Sequence, residues 1–368
     1  MAIILPLVAA TLIGLIVLWP HGVVQSGGEH PDRRKGEVTA VTGPCPKGTA
    51  APVDGSCGSA TVDLGDGKPV VAQIPSGAGA PRLSPGDKVI VIVTPDPEDP
   101  ALVTYSVVDH QRGVPLILLL VVFAAAVIAF GRWRGLAALG GLVVSFAVLL
   151  IFLVPAIRAG EDPLMVALVA AGTIMFAVLY LTHGVSVQTS VAVIGTLTAL
   201  ILTGLLGMIV TSAAQLTGFG TEEAAILATS LPGIDLRGLL VAGIIIGSLG
   251  VLDDVTVTQA SAVAELGLAN PSMSAVALYR AATRIGRAHI ASTVNTIILA
   301  YAGASLPLFL LIAIGGASTE SVLTSEAIAM EIVRSVVATL GLIAAVPITT
   351  GLAAVVTALA HRAQPAAS

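Results

Sequence analysis

Residues 115–130 read PLILLLVVFAAAVIAF, and none of these side chains carries a charge. The run has no polar face to turn toward water, so a helix here is expected to be surrounded by lipid. In hydrocarbon only a helix satisfies its own backbone hydrogen bonds within one segment, and it needs about 20 mostly apolar residues to cross. The run therefore predicts a transmembrane helix.

The composition extends this conclusion to most of the chain. Of the 368 residues, 55% are hydrophobic and 11% are charged, and the mean hydropathy is +0.97. Such a chain lacks the polar surface of a soluble domain. About eight segments, give or take one, are expected to cross a membrane: 3–19, 115–130, 136–157, 163–182, 187–216, 239–252, 290–315 and 333–360.

The polar stretch after the first segment is expected to form a separate domain. Runs rich in β-branched residues, bounded by Gly, Pro and Asp turn signals, predict strands at 36–42, 60–64, 69–74, 88–94 and 101–108. Five short strands suggest a small OB-like or related barrel. It has no aromatic ladder or basic stripe for nucleic acid, so we expect a structural or gating module. The predicted fold is an all-α polytopic membrane protein with a small extracytoplasmic β-barrel-like domain.

Orientation follows from the arginines in the short connections. With the N-terminus inside, six arginines fall on the cytoplasmic side and three in short outside connections, in agreement with the positive-inside rule. The first segment lacks a basic region before it and a small-x-small cleavage site after it, which favours a retained anchor. Both termini are then cytoplasmic. The predicted parts are an anchor at 1–19, an extracytoplasmic domain at 20–113, a helical domain at 114–361 and a tail at 362–368.

The main candidate site lies where an apolar segment runs into two carboxylates. Residues 247–261 read GSLGVLDDVTVTQAS, and ionisable residues at membrane depth are costly enough to mark candidate functional sites. If the stretch stays helical, two adjacent faces carry oxygen ligands: Asp253, Thr256 and Gln259 on one, and Asp254, Thr258 and Ser261 on the other.

Carboxylate, hydroxyl and amide oxygens suit Na⁺, Ca²⁺ or Mg²⁺, and the carboxylates alone would serve a proton relay. We therefore expect a cation or proton site formed by Asp253, Asp254, Thr256, Thr258 and Gln259. Glycines at 247 and 250 would also permit a broken helix that completes an ion site. Alternatively, the apolar run 239–252 is a complete short span, and one aspartate caps a new helix at the cytoplasmic interface.

A second polar feature follows directly. Residues 272–289 predict an amphipathic helix with Arg280, Arg284 and Arg287 at spacings of four and three. These guanidinium groups are expected on anionic lipid headgroups, on an anionic substrate, or against the two aspartates. Polar side chains then enter the next segment, either lining the same path or joining helices by hydrogen bonds. The candidate pathway or charge partners are Arg284, Arg287, Ser292, Asn295 and Thr296.

Three stretches carry a resemblance to the bacterial YibE/F-like family. They are DLRGLL at 235–240, GSLGVLDDVTVTQ at 247–259 and RIGRAHIASTVNT at 284–296. The resemblance covers roughly residues 115–361, and the polar β domain resembles the leader region of the family's single-chain members. It implies a multi-pass protein of the bacterial cell membrane for which transport is suspected.

The sequence favours a secondary transporter or channel for an ion or small solute, embedded in the lipid bilayer. No Gly-x-x-x-x-Gly-Lys loop occurs, so nucleotide hydrolysis within this chain would not drive transport. A non-transporting scaffold or sensor with an extracytoplasmic partner is the alternative. An intramembrane enzyme is not expected, because aspartyl proteolysis needs aspartates from separate helices and phosphotransfer needs further carboxylates. A homo-oligomer is compatible with the sequence.

Cys45 and Cys57 flank a Pro/Gly/Ser-rich loop in the expected extracytoplasmic domain. An oxidising compartment would let them close this loop as a disulfide, whereas two cysteines without neighbouring histidines make a poor zinc site. Mass spectrometry of unreduced peptides from membrane-isolated protein is expected to show Cys45 cross-linked to Cys57. Free thiols at both positions would contradict this expectation.

Overall fold

A computed structural model describes residues 4–21, 32–43, 58–65, 67–75, 82–95, 103–314 and 319–363. The chain divides into two compact units, described separately below. One unit comprises Gly27–Val127, and the other comprises Met1–Ser26 with Ile128–Ser368. Cys45 and Cys57 lie outside the described residues.

Five strands form a closed barrel: β1 Asp32–Val41, β2 Ser59–Asp63, β3 Pro69–Gln73, β4 Lys88–Pro95 and β5 Val103–His110. The order around the barrel is β1-β2-β3-β5-β4, and β4 pairs with β1 to close it. The β3–β5 pair is parallel and the others are antiparallel. This is an OB-like arrangement, and the predicted five-strand barrel is confirmed.

Alternation of apolar residues along the strands produces the barrel core. Val89 and Val91 on β4 are fully buried, as are Val62 on β2 and Val107 on β5. Alternate side chains of a strand point to opposite faces, so this period of two directs one row inward. Gly36 on β1 lies so close to Val62 that a Cβ there would overlap its side chain.

Eleven α-helices occur in the described part of the chain. They are α1 Ile4–Val17, α2 Gly113–Ala147, α3 Val154–Arg158, α4 Pro163–His183, α5 Val187–Ala213, α6 Glu222–Ser230, α7 Leu236–Ala269, α8 Ala275–Ala304, α9 Leu306–Ile314, α10 Thr319–Leu323 and α11 Glu326–Ala363. A π-helical segment, Val148–Leu153, joins α2 to α3. Side-chain caps begin several of them: Asp162, Ser186, Asp235 and Ser274 each accept a hydrogen bond from a backbone N–H three residues on.

Five helical stretches of the described residues are long and apolar enough to cross a membrane, and α1 is a shorter apolar helix. They are Gly113–Arg158, Pro163–His183, Val187–Ala213, Leu236–Ala269 and Glu326–His361. A membrane-embedded helical protein is therefore confirmed, whereas the predicted count of about eight spans is not.

The difference lies in where helices end. The predicted segments 115–130 and 136–157 belong to one helical stretch that is interrupted at Arg132, with φ 51° and ψ −128°. The predicted segment 290–315 is divided at Ser305 between α8 and α9, and α8 already begins at Ala275. Hydropathy indicates which residues lipid would accept, but it does not indicate where backbone hydrogen bonding stops.

Close contacts at small residues pack α5, α7 and α11 together. Thr196 of α5 meets Thr256 of α7, while Gly204 meets Ile245, so α5 and α7 run antiparallel. Gln259 of α7 is bonded to Thr350 of α11. In lipid, packing of this kind and interhelical hydrogen bonds drive helix association, because burial of apolar surface adds little.

A carboxylate fixes the turn after α5 to the start of α11. Oε1 of Glu326 accepts hydrogen bonds from the backbone N–H of Thr217 at 2.7 Å and of Gly218 at 2.9 Å, and from the Thr217 hydroxyl at 2.6 Å. Hydrogen bonds to a charged acceptor are stronger than neutral ones. The partly exposed Glu326 therefore holds two distant parts of the chain together.

We expect Glu326→Ala to lower the free energy of unfolding by about 1–2 kcal/mol, because it removes a charged acceptor from four donors, the fourth being the backbone N–H of Phe219 at 3.3 Å. Thermal unfolding of the detergent-solubilised protein would measure the loss. The matched control is Glu320→Ala on α10, where only the backbone oxygen of Glu320 bonds Thr324. Equal midpoints for the two variants would contradict the assigned role of Glu326.

Candidate functional site

Asp253 and Asp254 lie near the middle of α7, a continuous helix of 34 residues. The helix is capped far from them, by Asp235, whose carboxylate accepts from the backbone N–H of Gly238 at 3.0 Å. Two details raised by the sequence, a helix break and an aspartate cap, therefore do not occur at this point of α7. The helix does not break at the glycines 247 and 250, and neither aspartate caps a new helix, because backbone hydrogen bonding continues through both positions.

The aspartates lie deep in the helical unit. Thr256, one turn from Asp253, contacts Thr196, which lies about 14 Å along α5 from Val187 at a rise of 1.5 Å per residue. That depth is about half of a 30 Å hydrocarbon layer.

A cavity of about 800 Å³ reaches both aspartates from the end of the bundle where α4 ends and α5 begins. Parts of α2, α4, α5 and α7 form its wall. The charged or titratable lining residues are Asp253, Asp254, Glu265, Arg134 and His183. Hydroxyl and amide groups complete the polar lining: Thr182, Ser186, Gln188, Thr189 and Ser261. Three carboxylates face one guanidinium, so the cavity favours cations over anions.

The two carboxylates occupy different surroundings. Asp253 is partly buried, interacts with the Thr196 hydroxyl, and its Oδ1 is a buried atom without a hydrogen-bond partner among the described protein groups. The Asp254 side chain is 72% exposed, and its Oδ2 lies 3.7 Å from Nε2 of His289 on α8. A buried oxygen without a partner is costly, so Asp253 is the group most in need of a proton or cation.

The other expected ligands are placed by their hydrogen bonds. Thr256 and Gln259 are fully buried; Oγ1 of Thr256 lies 2.6 Å from that of Thr196, and Oε1 of Gln259 accepts from Thr350 at 2.9 Å. Thr258 is partly exposed and is not part of the cavity lining. Of the five expected ligands, Asp253 and Asp254 line the cavity, Thr256 and Gln259 lie in the packed interior, and Thr258 belongs to neither group. The described residues contain no group of three or more His, Cys, Asp or Glu side chains suited to a metal ion.

The arginine-rich part of α8 faces away from this site. Its outward residues are exposed and do not line the cavity: Arg280, Arg284, Arg287, Ser292, Asn295 and Thr296. The opposite face is buried through Leu278, Ala282 and Gly286. The contact that α8 makes with the aspartate pair comes instead from His289.

Several residues of the site were not expected from the sequence. His289 and His183 lie far along the chain from Asp254, and Gln188, whose Nε2 donates to Ser261 at 2.6 Å, lies in the first turn of α5. Each of the three lies among other polar residues near the end of an apolar segment or in the arginine-rich stretch. Such a position is too common to single out a site without knowledge of which helices pack together.

Membrane-length apolar helices around a polar cavity, in one chain with a five-stranded barrel, define a polytopic membrane protein. The model of the YibE/F-like protein family matches residues 119–358, well over half of the chain. The chain belongs to this family. The match begins in α2 and ends in α11, so it includes the whole cavity but not the barrel. No curated protein and no solved structure matches the chain.

The cavity predicts that cysteines introduced at different positions of α7 will differ in their reactivity toward a water-soluble reagent. In a chain whose two cysteines are replaced by alanine, Asp254→Cys is expected to react with a membrane-impermeant maleimide, because its side chain is exposed to the cavity. The matched Thr256→Cys is expected to resist, because Thr256 is fully buried.

The same variants test orientation. The arginine distribution predicts a cytoplasmic cavity mouth, and on that prediction inverted vesicles should label and right-side-out cells should not. Labelling of Asp254→Cys only from outside would reverse the predicted topology. Equal labelling at both positions would contradict the cavity.

Proposed function

We propose that the helical unit is a secondary transporter or channel for an ion or small solute in the cytoplasmic membrane, and that Asp253 binds a cation or proton during transport. The supporting observation is the partly buried Asp253 carboxylate with an unpartnered Oδ1 at the inner wall of a polar cavity. Ionisable residues inside membrane-length helices commonly mark ion pathways and proton relays.

The size and charge of the cavity support a polar cargo. About 800 Å³ lies within the range of small-molecule sites and greatly exceeds the volume of a dehydrated ion, so a hydrated ion or a small solute fits. Asp254 and Glu265 make the lining net negative and raise the local concentration of cations. Asp254 lies in this proposal at the cavity side of the expected cation site, and Thr256 and Gln259 at its interior side, whereas Thr258 lies outside the cavity lining.

In the proposed arrangement both termini and the arginine-rich face of α8 are cytoplasmic, and residues 20–113 are extracytoplasmic. The barrel serves as a structural or gating module. No nucleotide is required by this chain, and no catalytic residue is assigned. The alternative of a non-transporting scaffold or sensor would give the same fold without movement of any solute.

Flux in proteoliposomes tests the proposal. Wild-type protein is expected to dissipate an imposed gradient of at least one of Na⁺, K⁺, Ca²⁺, Mg²⁺ or H⁺, and Asp253→Asn is expected to abolish that flux because it keeps shape but removes charge. The matched control is Asp235→Asn on the same helix, which should remain active because asparagine caps a helix nearly as well as aspartate.

A stability measurement accompanies the flux assay. A bound ion raises the midpoint of thermal unfolding by mass action, so the active ion should stabilise the wild type and Asp235→Asn but not Asp253→Asn. Full activity and ion-dependent stabilisation in Asp253→Asn would refute the site. Absence of flux for all five ions in the wild type would favour the scaffold or sensor.

A further inference from the structure

A buried polar cluster occupies the region where α5, α7, α8 and α11 meet. Five side chains in it have no exposed surface: Thr196, Thr256, Gln259, Thr349 and Thr350. Polar groups in protein interiors are nearly always hydrogen-bonded, so each of these five buried side chains is expected to have a hydrogen-bond partner. We refer to these five residues as the threonine–glutamine cluster.

Short contacts tie the cluster together across three helices. The Thr196 hydroxyl donates to the backbone oxygen of Ala192 at 3.0 Å and lies 2.6 Å from the Thr256 hydroxyl. The Thr350 hydroxyl donates to Oε1 of Gln259 at 2.9 Å. Gly195, next to Thr196, leaves no room for a Cβ against Thr349. The five residues therefore form one continuous polar strip through the packed core.

Three atoms on this strip have no hydrogen-bond partner among the described protein groups. They are Oγ1 of Thr349, Nε2 of Gln259 and Oδ1 of Asp253. Thr349 and Gln259 are fully buried, so bulk water does not reach them directly. Asp253 is at the edge of the strip and also lines the cavity, so the strip begins at the cavity wall.

A fourth unpartnered atom lies on α8. Gly286 of α8 faces Val346 of α11, and Tyr279 of α8 faces Gly351, so the two helices run antiparallel. That register brings Thr283 level with the two buried threonines of α11. The buried Oγ1 of Thr283 also has no partner among the described groups.

The hydrogen-bond donors and acceptors among these unpartnered atoms indicate which kind of ligand could bind between them. Nε2 of Gln259 is a donor and requires an acceptor, Oδ1 of Asp253 is an acceptor and requires a donor, and the hydroxyls can do either. A metal cation would be repelled by the amide N–H groups, and Oε1 of Gln259 is already occupied by Thr350. Water both donates and accepts, and buried waters typically bridge two to four otherwise unpaired polar groups.

We propose that ordered water occupies the threonine–glutamine cluster and joins Asp253 to Gln259 and Thr349, and that the species taken up at Asp253 is a proton. This inference rests on the proposed transport function and names its coupling ion. A proton passed along the waters forms an O–H bond with the Asp253 carboxylate, and breaking that bond returns the proton. The strip beyond Asp253 holds no charged side chain to neutralise a Na⁺ or Ca²⁺ ion, whereas a chain of waters and hydroxyl groups can pass a proton.

The titratable and charged groups around Asp253 are on the cavity wall and on α8. They are Asp254 and Glu265 on α7, His183 on α4, Arg134 on α2 and His289 on α8. None of them lies on α5 or α11, whose contributions to the cluster are neutral hydroxyls. Asp253 is therefore the point at which the charged cavity meets the neutral strip.

Isosteric substitutions test the proposal. Thr349→Val removes the unpartnered hydroxyl and keeps the shape, so it should lower proton flux in proteoliposomes at least about fivefold and lower the thermal midpoint, because the water loses a partner. The matched control is Thr203→Val, also fully buried on α5, whose hydroxyl donates to the backbone oxygen of Ala199 at 2.7 Å. It lies away from the cluster and should keep wild-type proton flux.

The outcomes separate this inference from the proposed function. A higher midpoint with unchanged flux in Thr349→Val would show that the hydroxyl is dry and unpaired, and would overturn the hydration site. Wild-type uptake driven by Na⁺ and independent of a proton gradient would overturn the proton assignment while leaving transport intact. If the wild type moves no ion, the proposed function fails, and the midpoints of the two valine variants still decide whether the cluster is hydrated.

Discussion

The structure depends on how closely α5, α7 and α11 approach one another. At Gly195 an added Cβ would overlap Thr349, and at Gly341 it would overlap Thr203. In lipid, apolar side chains gain little by leaving hydrocarbon for a protein interior, so close packing and hydrogen bonds must hold the helices together. The glycines allow backbones to come near enough for both. Without them, the polar groups of the interior could not reach their partners on adjacent helices.

Close packing of the helices removes polar side chains from water, and in α5 the buried polar side chains are mostly threonines, which can form hydrogen bonds within their own helix. A hydroxyl in the interior of a helix can donate to the backbone oxygen four residues before it, which satisfies its hydrogen without an external partner. Thr196, Thr203 and Thr211 all do so along α5. Their lone pairs remain available to adjacent helices, as Thr196 shows by its contact with Thr256. Neutral polar groups can therefore be buried throughout the bundle, whereas the partly buried Asp253 carboxylate has no such backbone partner for its Oδ1 among the described residues.

The sequence predicted most of what short-range patterning controls. Runs rich in β-branched residues predicted all five strands, and the apolar run at 115–130 predicted a helix surrounded by lipid. The interruption at Arg132 falls in the predicted connection between segments 115–130 and 136–157, but no local pattern indicated that the two segments would belong to one helical stretch. For the site, too, the sequence indicated local features but not contacts between helices. A polar run at the end of an apolar stretch drew attention to Asp253, but its contacts with Thr196 and the cavity depend on helices more than fifty residues away, and no periodicity along α7 encodes them.

The separation of the two aspartates explains why their roles should differ. Neighbouring residues on a helix point about 100° apart, so one position can face a packed helix while the next faces open space. Asp253 faces α5 and the threonine–glutamine cluster, whereas Asp254 is exposed and lies near His289. Adjacent carboxylates repel, and the repulsion weighs more heavily on the one with less contact with water. Asp254 thus adds negative potential at the inner wall of the cavity, which favours arrival of positive charge at Asp253. In the proposed function the pair acts as one unit, in which the exposed Asp254 carboxylate attracts positive charge and the less exposed Asp253 carboxylate binds it.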